Sequence, residues 1–220
     1  MSFGGLVALG DSITRGRGMA PAYGADPRSW AHWLAEAMAL PFLNLAEDGA
    51  GARDVRERQL PHLPGCGVAT LYVGVNDARR ADFAAAPFAA DVEALVAGLA
   101  SAAERVAVLT IPLDLGRPRA GADVVTANAI LRRAAREAGA VIVELEDFGG
   151  WRHVLPDAVH PTALGQVDIA DRAAEALGVV TRPSGVADVL RGAAADARFA
   201  PFYVRQVVKD AARRFRERPR

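Results

Sequence analysis

The stretch Val7-Ala8-Leu9-Gly10-Asp11-Ser12-Ile13-Thr14 decides the fold of this 220-residue chain. The apolar run that ends at Leu9 is followed at once by small polar residues, which is typical of a buried strand that breaks into a loop or a helix. Ser12 lies at this break. Because side chains at the carboxyl end of a strand in an open α/β sheet face the ligand-binding crevice, the Ser12 hydroxyl is placed to meet a ligand. Asp and Ser also favour helix N-caps, so helix capping alone would explain the same residues.

Further strands and helices alternate along the rest of the chain. Short apolar runs predict strands, and longer segments with apolar residues at helical spacing predict helices. The later predicted strands are residues 41–46, 68–73, 106–111 and 141–143, and the predicted helices are residues 30–38, 52–60, 87–103, 122–138 and 162–177. This alternation indicates an α/β fold in which a parallel sheet is covered on both faces.

The composition is that of a soluble globular protein, with 51% hydrophobic and 24% charged residues. The formal net charge is zero, which argues against a nucleic-acid partner because such domains normally carry a basic surplus. The length suits one substantial domain. We predict this domain over residues 1–180 and a C-terminal basic helical extension over residues 181–220.

The chain has a single cysteine, Cys66, which excludes an intrachain disulfide and a cysteine-based metal cluster. Its first residues lack the charged and apolar regions of a secretory signal, and no run of 18 consecutive apolar residues occurs. These features predict a cytoplasmic protein.

Polar or glycine residues recur where predicted strands end or in the loops that follow them. These positions are Ser12, Gly49, Asn76, Asp157 and His160. Right-handed crossovers bring the carboxyl ends of parallel strands to one edge of a sheet, so we expect these residues to converge. Gly49 alone and Asn76 alone are more typical of a turn or a helix cap, and Asp157 and His160 fit a surface loop as well as a site, but turns do not readily explain the joint occurrence of all these residues at successive strand ends.

The converging side chains would supply the parts of an acyl-transfer site. A serine hydroxyl such as that of Ser12 is a weak nucleophile until a base such as His160 removes its proton. Asp157 precedes His160 by three residues, so a single turn can bring its carboxylate to the imidazole Nδ1. Pro161 disfavours helix at His160 and predicts an extended loop there.

An oxyanion formed on the substrate would also need hydrogen-bond donors. The backbone N–H groups of Ser12 and Gly49 and the carboxamide of Asn76 would provide three. Glycine at position 49 lets the backbone approach a ligand closely. The sequence Gly49-Ala50-Gly51 also permits Gly51 in this role, although we favour Gly49.

The sequence resembles the SGNH or GDSL-type serine esterases and acylhydrolases over residues 5–177. The four blocks that carry this resemblance are Gly10-Asp11-Ser12, Gly49 after Asn44-Leu45-Ala46, Gly74-Val75-Asn76-Asp77, and Asp157-Ala158-Val159-His160-Pro161. The glycine-framed serine elbow of α/β-hydrolases is absent, since Thr14 stands where its second glycine belongs.

The resemblance implies a flavodoxin-like three-layer α/β/α sandwich with a five-stranded parallel sheet. It implies Ser12 as nucleophile, His160 as base and Asp157 as its orienting acid, with an oxyanion hole from Ser12, Gly49 and Asn76. It also implies a small-molecule or lipid ester substrate, no cofactor and no metal. A carbohydrate O-deacetylase, a thioesterase or a catalytically silent binding protein of the same fold remain alternatives.

The end of the chain lies beyond the resemblance. Residues 181–185 have the composition of a linker, and apolar residues at helical spacing predict a helix over residues 199–218. Residues 199–220 contain seven basic and two acidic residues, a net charge of +5. Such a segment is suited to an anionic membrane surface, to its own acidic domain or to a second subunit.

Overall fold

The computed structural model describes residues 3–17, 28–117, 119–187 and 191–216. Five parallel strands form one sheet in the order β2-β1-β3-β4-β5. They are β1 (Phe3–Gly10), β2 (Phe42–Asn44), β3 (Cys66–Tyr72), β4 (Ala103–Leu109) and β5 (Val141–Val143). This order is that of flavodoxin-like sheets, and it confirms the predicted fold class.

Eight α-helices connect or follow the strands in the described residues. They are α1 (Ser12–Arg15), α2 (Trp30–Ala37), α3 (Ala52–Asp54), α4 (Ala85–Ala102), α5 (Ala122–Glu137), α6 (Ala163–Ala176), α7 (Pro183–Val186) and α8 (Ala193–Arg216). Helix α3 continues through a π-helical turn, Val55–Gln59, into a 3₁₀ turn, Leu60–His62. Helix α2 packs against α6, while α4 packs against both α3 and α5, giving a layer of helices on each face of the sheet.

Strands β1, β3 and β4 extend further toward their amino ends than the apolar runs predict, whereas β2 is shorter than its predicted range of 41–46. Strand β1 begins at Phe3, which pairs with Cys66 in β3. Strand β4 begins at Ala103, directly after the last residue of α4. The reason is that ladder hydrogen bonds continue beyond the buried part of a strand, whereas the apolar pattern marks only the buried part.

Helix α4 is apolar enough to cross a membrane by length and composition alone, with a mean hydropathy of 1.3 over 18 residues. Its buried side chains are Phe88, Val92, Leu95, Val96 and Leu99, which recur at helical spacing and belong to the main core. The helix contacts β3 and β4, so it serves here as a core helix of the sandwich.

A tight turn at the carboxyl end of β1 requires a glycine. A Cβ at Gly10 would lie 2.6 Å from the Tyr72 carbonyl oxygen and 2.7 Å from Thr14 Oγ1. Both distances are far below normal contact. The turn directs Ser12 out of the strand and into the first position of α1, at the edge of the sheet where all five strands end.

The end of the chain differs from its prediction. The predicted linker over residues 181–185 is wrong, because Pro183–Val186 forms α7, which packs on α6 with the Ser184 N–H donating to Asp171 Oδ1 at 2.8 Å. Helix α8 begins at Ala193 rather than at residue 199. Residues 217–220, the last part of the predicted basic segment, lie outside the described residues.

Candidate active site

The turn that presents Ser12 is capped by its neighbour. Asp11 is fully buried, and its Oδ1 accepts a hydrogen bond from the Ile13 N–H at 2.9 Å, which makes Asp11 the N-cap of α1. Ser12 is therefore the first helical residue, and its backbone N–H finds no acceptor among the described residues.

Amide side chains from other elements hold this turn in place. Gln59 accepts a hydrogen bond from the Gly10 N–H and donates one to the Gly10 carbonyl, each at 2.9 Å. Gln166 donates to the Ile13 carbonyl at 3.2 Å, and Asn44 donates to the Thr14 carbonyl at 3.0 Å. These side chains supply hydrogen-bond partners to backbone N–H and C=O groups at the end of β1 and in the turn that follows it. Sequence reasoning missed Gln59 and Gln166, although each is a polar residue in a predicted amphipathic helix.

Ser12, His160 and Asp157 form one continuous hydrogen-bonded chain. Ser12 Oγ lies 3.1 Å from His160 Nε2, and His160 Nδ1 lies 2.7 Å from Asp157 Oδ2. The other carboxylate oxygen, Oδ1, accepts the backbone N–H groups of Val159 at 3.0 Å and His160 at 3.1 Å. The carboxylate thus fixes both the imidazole and the backbone that carries it.

The environment of Asp157 favours its ionised form. Burial alone would raise its pKa, but the hydrogen bond and charge of His160, together with the backbone donors of Val159 and His160, lower the pKa below its usual value. The carboxylate is therefore negatively charged at neutral pH. A negative charge at Nδ1 stabilises the imidazolium that forms when Nε2 takes a proton.

The loop between β5 and α6 holds His160 outside the helix that follows it. Val154 pairs with Pro161 in an antiparallel bridge, and the Leu155 N–H donates to the His160 carbonyl at 2.9 Å. Thr162 then caps α6 by accepting the Gly165 N–H at 3.0 Å. Pro161 separates His160 from this cap, and His160 lies outside the helix, as the sequence predicts.

The two glycines considered for the oxyanion hole differ in their surroundings. Gly49 has a φ of 75° and lines the same depression as Ser12, and its N–H has no acceptor among the described residues. The Gly51 N–H instead donates to Asp54 Oδ2 at 3.0 Å, as part of the cap of α3. Gly49 is therefore the glycine with a donor open to the depression.

Asn76 also lines the depression, but its amide group is engaged. Nδ2 donates to the Ala50 carbonyl at 3.0 Å and makes a longer contact of 3.4 Å to Asp11 Oδ2. The neighbouring Asp77 accepts the Ala52 N–H with both carboxylate oxygens, at 3.1 and 3.2 Å. These contacts tie the loop after β3 to the loop that carries Gly49.

The depression around Ser12 has a volume of about 390 Å³. The described residues that line it are Ser12, Arg17, Asp48, Gly49, Asn76 and His160. Arg17 forms an ion pair with Asp48 across its rim, and Arg15 lies 3.9 Å from the same carboxylate. Within the described residues, no cluster of three or more His, Cys, Asp or Glu side chains could hold a metal ion.

Known proteins support the assignment of the fold. LAE5, an α/β hydrolase enzyme from the metagenome of Lake Arreo, has a TM-score of 0.65 at 20% identity, covering 82% of this chain and 98% of that one. An acetylxylan esterase from Geobacillus stearothermophilus has a TM-score of 0.62 at 18% identity, covering 81% and 97%. TesA has a TM-score of 0.64 at 19% identity, covering 78% and 97%. At these identities the likeness shows a shared fold.

Sequence comparison identifies the family. No curated protein sequence matches the chain significantly. The profile of the GDSL-like Lipase/Acylhydrolase family, however, matches residues 8–167, which include all four sequence blocks and most of the chain. The chain therefore belongs to the GDSL-like lipase/acylhydrolase family, and it is a serine hydrolase that acts on ester bonds.

Proposed function

We propose that Ser12 is the nucleophile of this esterase, with His160 as general base and Asp157 as the residue that orients it. The observation that carries the proposal is the continuous chain of hydrogen bonds, 3.1 Å from Ser12 Oγ to His160 Nε2 and 2.7 Å from His160 Nδ1 to Asp157 Oδ2. Nucleophile, base and orienting acid stand within hydrogen-bond reach of one another, as such catalysis requires.

The reaction proceeds in two halves. Ser12 Oγ attacks the ester carbonyl carbon while its proton passes to His160 Nε2, which forms a tetrahedral oxyanion. The intermediate collapses to an acyl-enzyme, and the leaving alcohol takes the proton from Nε2. Water then loses a proton to Nε2 and attacks the acyl carbon, which forms a second tetrahedral oxyanion. Collapse of this intermediate releases the carboxylic acid and breaks the bond to Ser12 Oγ, which takes the proton back from Nε2.

Three donors would stabilise the oxyanion in each half. The backbone N–H groups of Ser12 and Gly49 have no acceptor among the described residues, so both are free to donate. The third donor is Asn76 Nδ2. Its contact to Asp11 is the long one, at 3.4 Å, and this is the N–H that we expect to turn to the oxyanion. Donors fixed in advance at this position are worth roughly 10²–10³ in kcat each.

We further propose that the substrate is the ester of a polar alcohol. Every described side chain that lines the depression is polar, and Arg17 and Asp48 offer both a donor and an acceptor beside Ser12. A related fold belongs to an enzyme named for acetylxylan, a carbohydrate ester. Lipid esters and thioesters would react with the same catalytic residues. The three substrate classes therefore differ in their leaving group, and the lining of the depression favours a polar alcohol.

A panel of esters tests both parts of the proposal. Nitrophenyl esters of increasing acyl length should show a burst of nitrophenol equal to the enzyme concentration, because the acyl-enzyme accumulates. Acetylated sugars, a lysolipid and an acyl thioester should then be compared by kcat/KM. The proposal expects the acetylated sugars to rank first. A burst with Ser12→Ala would contradict the assigned nucleophile, and a preference for the lysolipid or thioester would contradict the assigned substrate class.

A further inference from the structure

In the described part of the chain, helix α8 packs on the domain along one face. Ala195 and Phe199 are buried with Leu164, and the Phe199 ring lies 6.0 Å from the ring of Trp151. Further along the helix, Asp210 is also buried. Because these residues recur at helical spacing, the helix has an inner face, directed at the domain, and an outer face on the opposite side.

The outer face carries an apolar stripe. Val204, Val208, Ala211 and Phe215 follow one another at steps of four, three and four residues. Val204 is 60% exposed, Val208 63% and Phe215 75%. The sequence pattern alone suggested that this stripe could dock on the domain. The structure shows instead that the domain takes the opposite face and leaves the stripe exposed.

A row of basic side chains borders this stripe. Arg198, Arg205, Lys209 and Arg216 are separated by seven, four and seven residues, which keeps them along one edge of the helix. All four are exposed, and none forms an ion pair with a carboxylate in the described part of the chain. Within the described residues, no ion pair therefore offsets their positive charge.

The acidic residues of α8 do not offset this charge. Residues 193–216 contain two, Asp196 and Asp210, and each is ion-paired with an arginine and largely buried. Asp196 pairs with Arg152 of the domain, and Asp210 pairs with Arg213 at 2.9 Å. The outer face and its basic edge thus carry only apolar and positively charged groups.

We propose that the outer face of α8 docks on an anionic lipid surface. Valine and phenylalanine side chains would enter the boundary between headgroups and acyl chains, and the long basic side chains at the edge would reach the lipid phosphates. A second copy of the chain fits less well, because a symmetric contact through this face would bring no carboxylate to meet the basic edge.

Docking of α8 would place the loop that carries Asp157 and His160 near the lipid surface. A cavity between α8 and this loop is lined by Asp157 and Leu155 from the loop and by Gln206 and Arg213 from the helix, with Lys209 of the basic edge at its border. The helix therefore runs alongside the loop that holds the catalytic acid and base. This inference concerns where the enzyme works, and it does not depend on which ester the site prefers.

Vesicle sedimentation with the full chain tests the inference. The protein should bind vesicles of phosphatidylcholine mixed with phosphatidylglycerol, fail to bind vesicles of phosphatidylcholine alone, and lose affinity as salt is raised. The combined variant Arg198→Gln, Arg205→Gln and Arg216→Gln should bind about 100-fold more weakly, at roughly five-fold per charge. The combined variant Val204→Ser, Val208→Ser and Phe215→Ser should lose binding as well.

A matched control removes three exposed arginines elsewhere, by Arg79→Gln, Arg136→Gln and Arg191→Gln. It should keep most of the binding, and turnover of a soluble ester should be unchanged in all variants. The inference fails if the protein binds neither vesicle, if the control weakens binding as much as the α8 variants, or if the α8 variants bind like the parent chain. A concentration-dependent dimer that the serine variant abolishes, without vesicle binding, would assign the face to a second copy instead.

Discussion

At the scale of single residues, Asp11 is an ionisable carboxyl group in a buried environment that disfavours its charge. Its carboxyl is fully buried, and this burial raises its pKa to about 7, against the pull of the Ile13 N–H and of the charge on His160. A neutral Asp11 is a weaker acceptor than a carboxylate. In the proposed mechanism, it therefore competes less with the oxyanion for the Asn76 N–H that points toward it.

The shifted pKa has a consequence for stability. The folded protein keeps the Asp11 proton up to about pH 7, whereas an unfolded chain releases it at about pH 4. Because the folded state then binds more protons, rising pH favours unfolding across this window, by up to about 1.4 kcal/mol per pH unit. Urea titrations from pH 4 to 8 should show the parent chain losing stability relative to Asp11→Asn, which keeps the helix cap. Parallel profiles for the two proteins would contradict the assigned protonation.

Asn76 carries the prediction that bears most directly on the oxyanion. Asn76→Ala removes the side-chain donor, so kcat should fall by about 10²–10³ while KM changes little. The Ala50 carbonyl also loses its donor, which should cost about 1 kcal/mol of stability. Kinetics with a soluble ester and a urea titration measure the two effects separately. A folded variant with the parent kcat would remove Asn76 from the mechanism.

At the scale of elements, the loops at the carboxyl edge depend on partners that are distant in sequence. Gln59 reaches Gly10 from the helical segment after α3, and Gln166 reaches Ile13 from α6. The strand ends that carry Ser12, Asn76 and His160 could be predicted, because buried apolar runs mark strands and parallel strands end at one edge. The supporting amides could not, because their role depends on tertiary contacts between segments.

The C-terminal helix shows the same limit of sequence reasoning. Helical spacing predicts the element and its apolar stripe, but it does not say which face the domain covers. Phe199 is 0% exposed, whereas Phe215, on the predicted stripe, is 75% exposed. Contacts of Phe199 with the ring of Trp151 decide the docking, and those contacts arise only in the folded chain.

Two phenylalanines of α8 therefore make a matched pair of tests. Phe199→Ala should lower the free energy needed to detach α8 from the domain by about 3–5 kcal/mol, because it leaves a cavity against Trp151 and Leu164. Phe215→Ala should change stability by no more than about 0.5 kcal/mol, since its ring is exposed. Denaturant titrations and limited proteolysis of α8 measure both. Equal effects of the two substitutions would contradict the docked orientation of the helix.

At the scale of the whole molecule, the parallel sheet brings residues that are distant in sequence together at one edge. Residues as far apart in sequence as Ser12 and His160 meet because β1 and β5 run parallel and end at the same edge. The family resemblance names these residues, and the fold explains why they can act together. Helix α8, which lies in the extension predicted over residues 181–220, packs against the segment that precedes Asp157.

Covalent labelling of the intact protein tests the assigned nucleophile most directly. A fluorophosphonate should add one adduct to the chain, peptide mapping should place it on Ser12, and His160→Ala should label far more slowly because no base then removes the serine proton. Ser12→Ala should stay unlabelled and lose ester turnover while unfolding at the parent denaturant concentration. An adduct on Ser12→Ala formed at the parent rate, or a parent adduct on any other residue, would contradict the proposed mechanism.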